Sequence, residues 1–238
     1  MSRSFLVSYM PLVGSADGRA ACEELNLQPF IDGSIRREPD FEHPHPAISG
    51  LCRGSKFVSR LRVGDLVVHV TKSGRFGQGT KQRRLTSVLR VTDVLGSHED
   101  AASWYESRGL RLPSNCMVTG NPCVPIEQSH RQHRDAHLYL PDSLLQLQNH
   151  WNDQYMKRSR RCPNVAICEK LFSNLSWTAP VVRMDGDQYQ TNPPGVDRRT
   201  SDRLQREERD GQQRTWPDPV TRHLPERRPR DDADTKVQ

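Results

Sequence analysis

The sequence predicts an α+β fold, built as a small mixed or antiparallel β-barrel with flanking helices. Short runs of β-branched residues recur along the chain, and helical patterns fall between them without a regular strand–helix–strand alternation. Composition is the third observation. Of the 238 residues, 34% are hydrophobic, and the mean hydropathy is −0.80. These values are low for a fully folded chain, but the part of the chain without residues 196–238 can bury one core.

The N-terminal part of the sequence predicts a strand, a weak helix and a long loop. Residues 4–10 form a short apolar run that ends at Pro11, which is typical of a strand. A weak helical pattern follows over residues 19–25. Residues 28–50 contain four prolines and no clear periodicity. We therefore expect an irregular loop there, and loops of that length are usually functional or disordered.

The clearest prediction is a pair of antiparallel strands. Residues 62–65 have the composition of a turn, and residues 66–70 are rich in valine, which favours a strand. A glycine-rich connection over 72–80 leads to a second strand over 84–94. Hydrophobic and polar residues alternate imperfectly along this second strand, as expected for the wall of a small barrel.

A short helix is predicted directly after these strands. Ser97 is a candidate N-cap, and Asp100 follows three residues later, where its charge suits the positive end of a helix. Gly109 is a candidate for the C-terminal stop of this helix.

A second helix is predicted to begin near Pro141. Its apolar residues recur at steps of three and four, which indicates one buried stripe that belongs to the core: Leu144, Leu147, Trp151 and Tyr155. Residues 179–184 predict a closing strand.

Residues 196–238 differ in composition from the rest of the chain. They hold 11 Lys and Arg, 10 Asp and Glu and only seven hydrophobic residues. Such a segment buries too little apolar surface to offset the entropy lost on ordering. We therefore expect one folded domain over 1–195 and a disordered, charged tail over 196–238.

Several classes of protein are excluded by the sequence. No apolar run approaches the ~18 residues of a membrane-spanning helix, and the N-terminal apolar run is too short and interrupted for a signal peptide. We therefore expect a cytoplasmic protein without membrane partners. The six cysteines contain no C-x-x-C pair, and we expect them to be buried free thiols.

Three histidines, His130, His133 and His137, follow one another at steps of four or fewer residues. On a helix they would share a face and could bind a divalent metal. Arginines and an aspartate lie among them, as on a solvated helix or loop, so whether they bind metal stays open. No metal or cofactor is assigned, because the sequence contains no P-loop, nucleophile elbow or dinucleotide-binding glycine pattern.

The most distinctive charge pattern is a basic stripe over residues 53–90. It contains ten cations against a single acid, Asp65. The cations are Arg53, Lys56, Arg60, Arg62, Lys72, Arg75, Lys81, Arg83, Arg84 and Arg90. Such a concentration of charge favours a polyanion as partner, and the alternative is a solvated barrel face.

A family resemblance rests on the strand pair and on three short motifs. The Gly-Asp turn and strand of 62–68, with the returning strand of 85–91, resemble the core of PUA-like domains such as the ASCH and EVE modules. Further stretches resemble the nucleotide-modification-associated domains of bacteria and phages: 30–38, 113–116 and 190–194. The resemblance spans about residues 1–195. It implies a pocket that receives a modified or flipped base in DNA or RNA.

Together these observations predict a module that binds nucleic acid or a nucleotide, recognises a modified base and is associated with DNA modification. The candidate binding residues are Asp32, Arg36, Arg37, Glu38, Arg53, Lys72, Arg84, Asn115 and Asn192. The alternative is an enzyme that acts on a nucleotide or modified base, with Glu38, Asp40 or Cys52 in its site. The expected partners are DNA, RNA or modified nucleotides. The base, the catalytic residues and the oligomeric state stay open.

Overall fold

The computed structural model describes residues 2–51, 55–76, 80–130 and 144–182, without the side chains of residues 55 and 56. The chain divides into two compact units, Met1–Met184 and Asp185–Gln238. All described residues belong to the first unit. The predicted tail over 196–238 lies outside the described residues.

The described residues contain six strands, four α-helices and two single-turn 3-10 helices. The strands are β1 (Ser4–Tyr9), β2 (Ala47–Ser49), β3 (Leu66–Thr71), β4 (Arg83–Leu95), β5 (Val165–Ser173) and β6 (Val181–Val182). The α-helices are α1 (Ala16–Glu24), α2 (Ser55–Val58), α3 (His98–Glu106) and α4 (Leu144–Arg161), and the 3-10 helices are Leu12–Gly14 and Ile126–Gln128.

The strands form one curled, mixed sheet with the order β1-β3-β4-β5-β2, and β6 pairs with the start of β4. β1 runs parallel to β3, and the other pairs are antiparallel. The α+β prediction is therefore confirmed, but the sheet is a half-barrel. Among the described residues, β1 and β2 lie at the two ends of the sheet and do not pair with each other.

The predicted antiparallel pair is confirmed as β3 and β4, with Val68 opposite Val88. The turn before β3 depends on Gly64, whose φ of +88° favours a residue without a Cβ. The Asp65 amide closes this turn with a hydrogen bond to the Arg62 carbonyl at 3.0 Å.

The sequence prediction missed β5, which lies between β4 and β2. The strand begins with four buried residues, Val165 to Cys168, so it shows no alternation at the end where it enters the core. A continuous apolar run of four residues after a proline was the available indication.

The core of the sheet combines side chains from neighbouring strands with the segment around α2. The buried residues of this cluster are Val7, Ile48, Val58, Leu61, Val67, Leu89, Val91, Ala166 and Cys168. Their packing holds β1, β3, β4 and β5 in one layer, on which the loops that form the candidate site are mounted.

Both predicted helices are confirmed. In α3, the Ser97 hydroxyl accepts a hydrogen bond from the Asp100 amide at 2.9 Å, and Gly109 has a φ of +63° just beyond the helix. In α4, Leu147 and Tyr155 pack in a core cluster with Ile35, Leu51, Met117 and Ile126. The predicted start of this helix near Pro141 lies outside the described residues. No described helix is both long and apolar enough to cross a membrane.

Candidate nucleic-acid interface

The loop over residues 29–41 is buried throughout, although it forms neither helix nor strand apart from one isolated bridge between Asp32 and Pro11. Loops normally lie on the surface because buried backbone groups need hydrogen-bond partners. Here backbone groups of other segments supply many of these bonds, and the Asp32 and Arg37 side chains of the loop supply others. We call residues 29–41 the buried loop.

Two adjacent arginines of the buried loop anchor it to distant segments. Arg36 is 1% exposed, and its guanidinium donates to the Ser114 carbonyl at 2.8 Å and to the Asn152 side-chain oxygen at 2.7 Å. Arg37 donates to the carbonyls of Asp32 and Gln128. Burial lowers the pKa of both arginines, because the interior disfavours the charged form.

Glu38 is a buried carboxylate at the centre of a second group of hydrogen bonds. It is 0% exposed and accepts bonds from the Ser49 amide and hydroxyl, each at 2.5 Å. Asn115 donates to Glu38 at 3.0 Å and to the Ala47 carbonyl at 2.7 Å. These contacts tie the buried loop to β2.

Asp40 and His43 complete the interior polar group. The Asp40 carboxylate accepts bonds from Arg111 at 3.0 Å and from the Ser114 amide at 3.2 Å. The His43 ring lies 2.7 Å from the Arg111 carbonyl, and burial lowers its pKa. Glu38 and Asp40 are thus both buried and bonded within the fold.

The predicted binding residues therefore separate into two described groups. The first is interior, and each of its side chains is bonded within the fold: Asp32, Arg36, Arg37, Glu38 and Asn115. The second contains Lys72 and Arg84, which lie at one end of the β3–β4 hairpin. Arg53 and Asn192 lie outside the described residues, as does Cys52.

The basic stripe is divided between the two ends of this hairpin. Leu66 pairs with Arg90 at one end, and Val70 pairs with Leu85 at the other. A strand of this length spans roughly 17 Å. We define the hairpin tip as residues 72–76 and 80–84, and the hairpin base as residues 60–65 with Arg90. The predicted continuous basic face is therefore two separate groups of cations.

Three cations at the hairpin tip, Lys72, Arg75 and Lys81, are exposed. Their side chains form no hydrogen bond or ion pair with another described residue. At the hairpin base, Arg90 pairs with Glu169, and Asp65 pairs with Arg3. Lys72, Arg75 and Lys81 therefore form no ion pair with a described acid, whereas ion pairs with acids occur at the base.

An aromatic cluster adjoins the hairpin tip. The Phe30 ring lies 5.4 Å from Phe76 and 5.6 Å from Trp177, in edge-to-face contacts. The Arg84 guanidinium lies 5.9 Å above Phe30 and donates to the Ala179 carbonyl at 2.7 Å. Phe30 is fully buried, but Trp177 is 51% exposed. An aromatic side chain half open to solvent is thus linked to Phe76 and Arg84 of the tip through the Phe30 ring.

A cleft of about 340 Å³ opens beside this cluster. Its lining is Gln28, Phe41, Glu42, Lys170, Ser173, Asn174, Leu175 and Ser176. Ligand-binding clefts usually occupy about 300–1,000 Å³, so its size suits a small ligand. Amide, hydroxyl, carboxylate and ammonium groups belong to the lining residues, which therefore provide both donors and acceptors. The Phe30 amide bonds to the Leu175 carbonyl at 3.1 Å and links the cleft to the aromatic cluster.

The described residues contain no group of three or more His, Cys, Asp or Glu placed to hold a metal. His130 lies against the buried loop, and its amide donates to the Gly33 carbonyl at 2.7 Å. A Cβ on Gly33 would lie 2.4 Å from the His130 Nδ1 atom, so this contact requires glycine. His133 and His137 lie outside the described residues. The five described cysteines are free thiols.

Sequence reasoning missed Trp177 and the cleft. The stripe itself contains only Phe57 and Phe76 as aromatic residues, so base stacking found little support in it. The structure adds Phe30 from the buried loop and Trp177 from the segment after β5. The sequence Asn174-Leu-Ser-Trp-Thr, an isolated tryptophan among turn-forming residues, was the available indication.

Comparisons of the chain with protein-family models, with curated proteins and with solved structures found no match.

Proposed function

We propose that this protein binds nucleic acid or a nucleotide through the hairpin tip, recognises a modified base and acts in association with DNA modification. The single observation that supports this most is the exposure of Lys72, Arg75 and Lys81 at the hairpin tip, whose Phe76 and Arg84 contact the same Phe30 ring as Trp177. Cations neutralise phosphates and release their counterions, which supplies affinity, and the cleft supplies contacts to a base.

The charge distribution supports the tip as the binding surface. Its three exposed cations have no described acid to neutralise them, so their field extends into solvent. The hairpin base is a weaker candidate, since Asp65 and Glu169 accompany its cations. Substitutions at the hairpin tip therefore test the proposal, and substitutions at the hairpin base serve as the control.

The cleft supports recognition of one base. A base that leaves its stack needs a ring to pack on and polar groups for its edge. Gln28, Glu42 and Asn174 provide amide and carboxylate groups for the edge of a base, and the exposed ring nearest to the cleft along the chain is Trp177. The resemblance to PUA-like, nucleotide-modification-associated domains implies the same kind of ligand, and we include this relationship in the proposal.

The test is a titration of labelled DNA and RNA by fluorescence anisotropy at several salt concentrations. We expect wild-type affinity to fall as salt rises. The combined substitution Lys72→Ala, Arg75→Ala and Lys81→Ala removes three cations. If each contacts one phosphate of a single strand, the slope of log K against log salt decreases by about 2.

The matched control is Arg60→Ala with Arg62→Ala at the hairpin base, where both side chains are also exposed. This control should bind like wild type. Absence of binding by wild type at low salt, or equal losses in the tip and base variants, would contradict the proposal. A preference for oligonucleotides that carry a modified base over plain ones tests recognition of that base.

A further inference from the structure

We propose that the ligand at the hairpin tip is single-stranded nucleic acid and that Trp177 stacks on one of its unpaired bases. This inference rests on the proposed function and names the class of nucleic acid that it binds. It is carried by the exposure of Trp177, by the rigidity of the turn that presents it and by its contact with the Phe30 ring, which also contacts Phe76 and Arg84 of the hairpin tip.

The turn that carries Trp177 is held by its own side chains. Asn174 accepts bonds at its side-chain oxygen from the Ser176 amide at 3.1 Å and from the Ser176 hydroxyl at 2.9 Å. Its side-chain nitrogen donates to the Thr178 hydroxyl at 3.2 Å. Hydrogen bonds therefore bracket Trp177 on both sides, so little backbone entropy remains to be lost when a ligand binds.

Both ends of this turn are fixed to the sheet. The Asn174 amide donates to the Thr86 carbonyl at 2.9 Å, and the Leu85 amide donates to the Pro180 carbonyl at 2.9 Å. Thr86, which accepts the first of these bonds, and Leu85, which donates the second, both belong to β4, the strand that begins at the hairpin tip. The position of the tryptophan relative to the tip is thus set by backbone hydrogen bonds.

The environment of Trp177 indicates a binding role more than a packing role. A tryptophan that serves the core buries its ring, but Trp177 leaves half of its surface in solvent while Phe30 fills the core below it. Exposing a large ring costs free energy. A rigid turn that nevertheless presents one fits a platform for another flat ring.

The chemistry at the tip favours a single strand over a duplex. In a duplex the faces of the bases are covered by their neighbours, and only the edges are accessible in the grooves. An aromatic platform beside a row of cations is the arrangement that binds unpaired strands, since the cations contact the backbone while bases stack on the rings. Val181, which pairs with Arg84 and is 50% exposed, adds apolar surface to the same end.

The experiment compares single strands with duplexes. Oligonucleotides of about 12 nucleotides match the site size of such surfaces and are used as DNA strand, RNA strand and DNA duplex of one sequence. We expect wild type to bind a single strand more tightly than the duplex. Trp177→Ala should weaken single-strand binding by about ten-fold or more and leave duplex binding unchanged.

Two controls separate stacking from folding. Trp177→Phe keeps an aromatic face and should retain most of the affinity, whereas Leu171→Ala removes another exposed apolar side chain and should have no effect. Ligand-induced quenching of tryptophan fluorescence in wild type, reduced in Trp177→Phe, reports on the same contact without depending on the alanine variant.

These experiments distinguish a failure of the stacking proposal for Trp177 from a failure of the proposed function. If Trp177→Ala binds single strands like wild type while the tip cations still matter, or if the duplex binds more tightly, stacking on Trp177 is wrong and the proposed function stands. If wild type binds no nucleic acid at low salt, the proposed function and this inference both fail. The ratio of DNA to RNA affinity identifies which strand is the better ligand.

Discussion

Glu38 shows how single residues stabilise the buried loop. Its carboxylate oxygens accept bonds from the Ser49 amide, the Ser49 hydroxyl and Asn115. A buried carboxylate is tolerated when donors satisfy it, and each bond to a charged acceptor contributes more than a neutral one. The loop and β2 thus depend on each other through one side chain.

Replacing Glu38 with Gln should destabilise the protein by about 2–4 kcal/mol. The substitution replaces one carboxylate oxygen, an acceptor, with an NH2 group, a donor. This donor would face Ser49 or Asn115, which also donate, so at least one hydrogen bond is lost. Urea unfolding measures the loss. Glu42→Gln changes an exposed carboxylate four residues along the chain and should stay within about 0.5 kcal/mol of wild type. Equal stability of the two variants would contradict the role given to Glu38.

The residues of the buried loop also show where sequence reasoning stops. A loop with two arginines and three acids within nine residues is ordinarily exposed, because charged side chains are almost never fully buried unless they are paired. The partners of Arg36 are the Ser114 carbonyl and Asn152. Nothing near Arg36 in the chain reveals these distant partners, so the sequence predicts the importance of the loop but not its interior position.

At the scale of elements, prediction followed local periodicity. Three features were predicted from short local sequence patterns, and all three are confirmed: the strand pair β3–β4, the Ser97 cap of α3 and the apolar stripe of α4. The start of β5 is buried on both faces and leaves only a short apolar run, so it was missed. Alternation marks a strand only where one face meets solvent.

Leu89 tests how much the sheet depends on its central strand. It lies on β4, is 0% exposed and packs in the cluster that joins neighbouring strands. Leu89→Ala should lower the free energy of unfolding by about 2–5 kcal/mol, since it removes buried surface and leaves a cavity.

The control for this prediction is Leu171→Ala on the neighbouring strand β5, where the side chain is 47% exposed. Its effect should be much smaller, because most of that surface already meets water. Chemical denaturation of both variants makes the comparison. Similar losses at the two positions would show that the cluster around Leu89 does not hold the sheet.

At the scale of the whole molecule, buried histidines make stability depend on pH. The pKa of His98 is lowered to about 4, chiefly by burial; Glu99 opposes this shift, and Arg36 contributes to it. The folded state thus keeps this ring neutral while the unfolded state protonates it near pH 6.5. Stability is complete above that pH and is lost as pH falls through the window from about 6.5 to 4. His43 contributes with the same sign.

His98 should account for a loss of roughly 3 kcal/mol between pH 7 and pH 4. In His98→Gln, where no ring titrates, the unfolding free energy should fall less over the same range. Urea unfolding at a series of pH values measures the difference between the two proteins, which cancels the contribution of carboxylates common to both. Parallel curves for wild type and variant would contradict the assignment.

The fold separates the cations of the basic stripe, which are close together in the sequence. The sequence predicts one basic stripe, yet the two strands of the hairpin place its described cations about a strand length apart. The sequence shows how many cations the basic stripe contains. The pairing of β3 with β4 shows which of them lie at the same end of the hairpin, and the segment after β5 places Trp177 on Phe30, which contacts Phe76 and Arg84 at the tip.

The buried loop finally has a consequence for the order in which this domain folds. Arg36 bonds to Asn152 across 116 residues, and Glu38 bonds to Asn115 across 77. The buried loop therefore forms hydrogen bonds with residues that the ribosome adds much later. Closing such long loops costs entropy before any contact compensates, and proteins rich in distant contacts fold slowly. We therefore expect the buried loop to make its last bonds only after α4 has been synthesised.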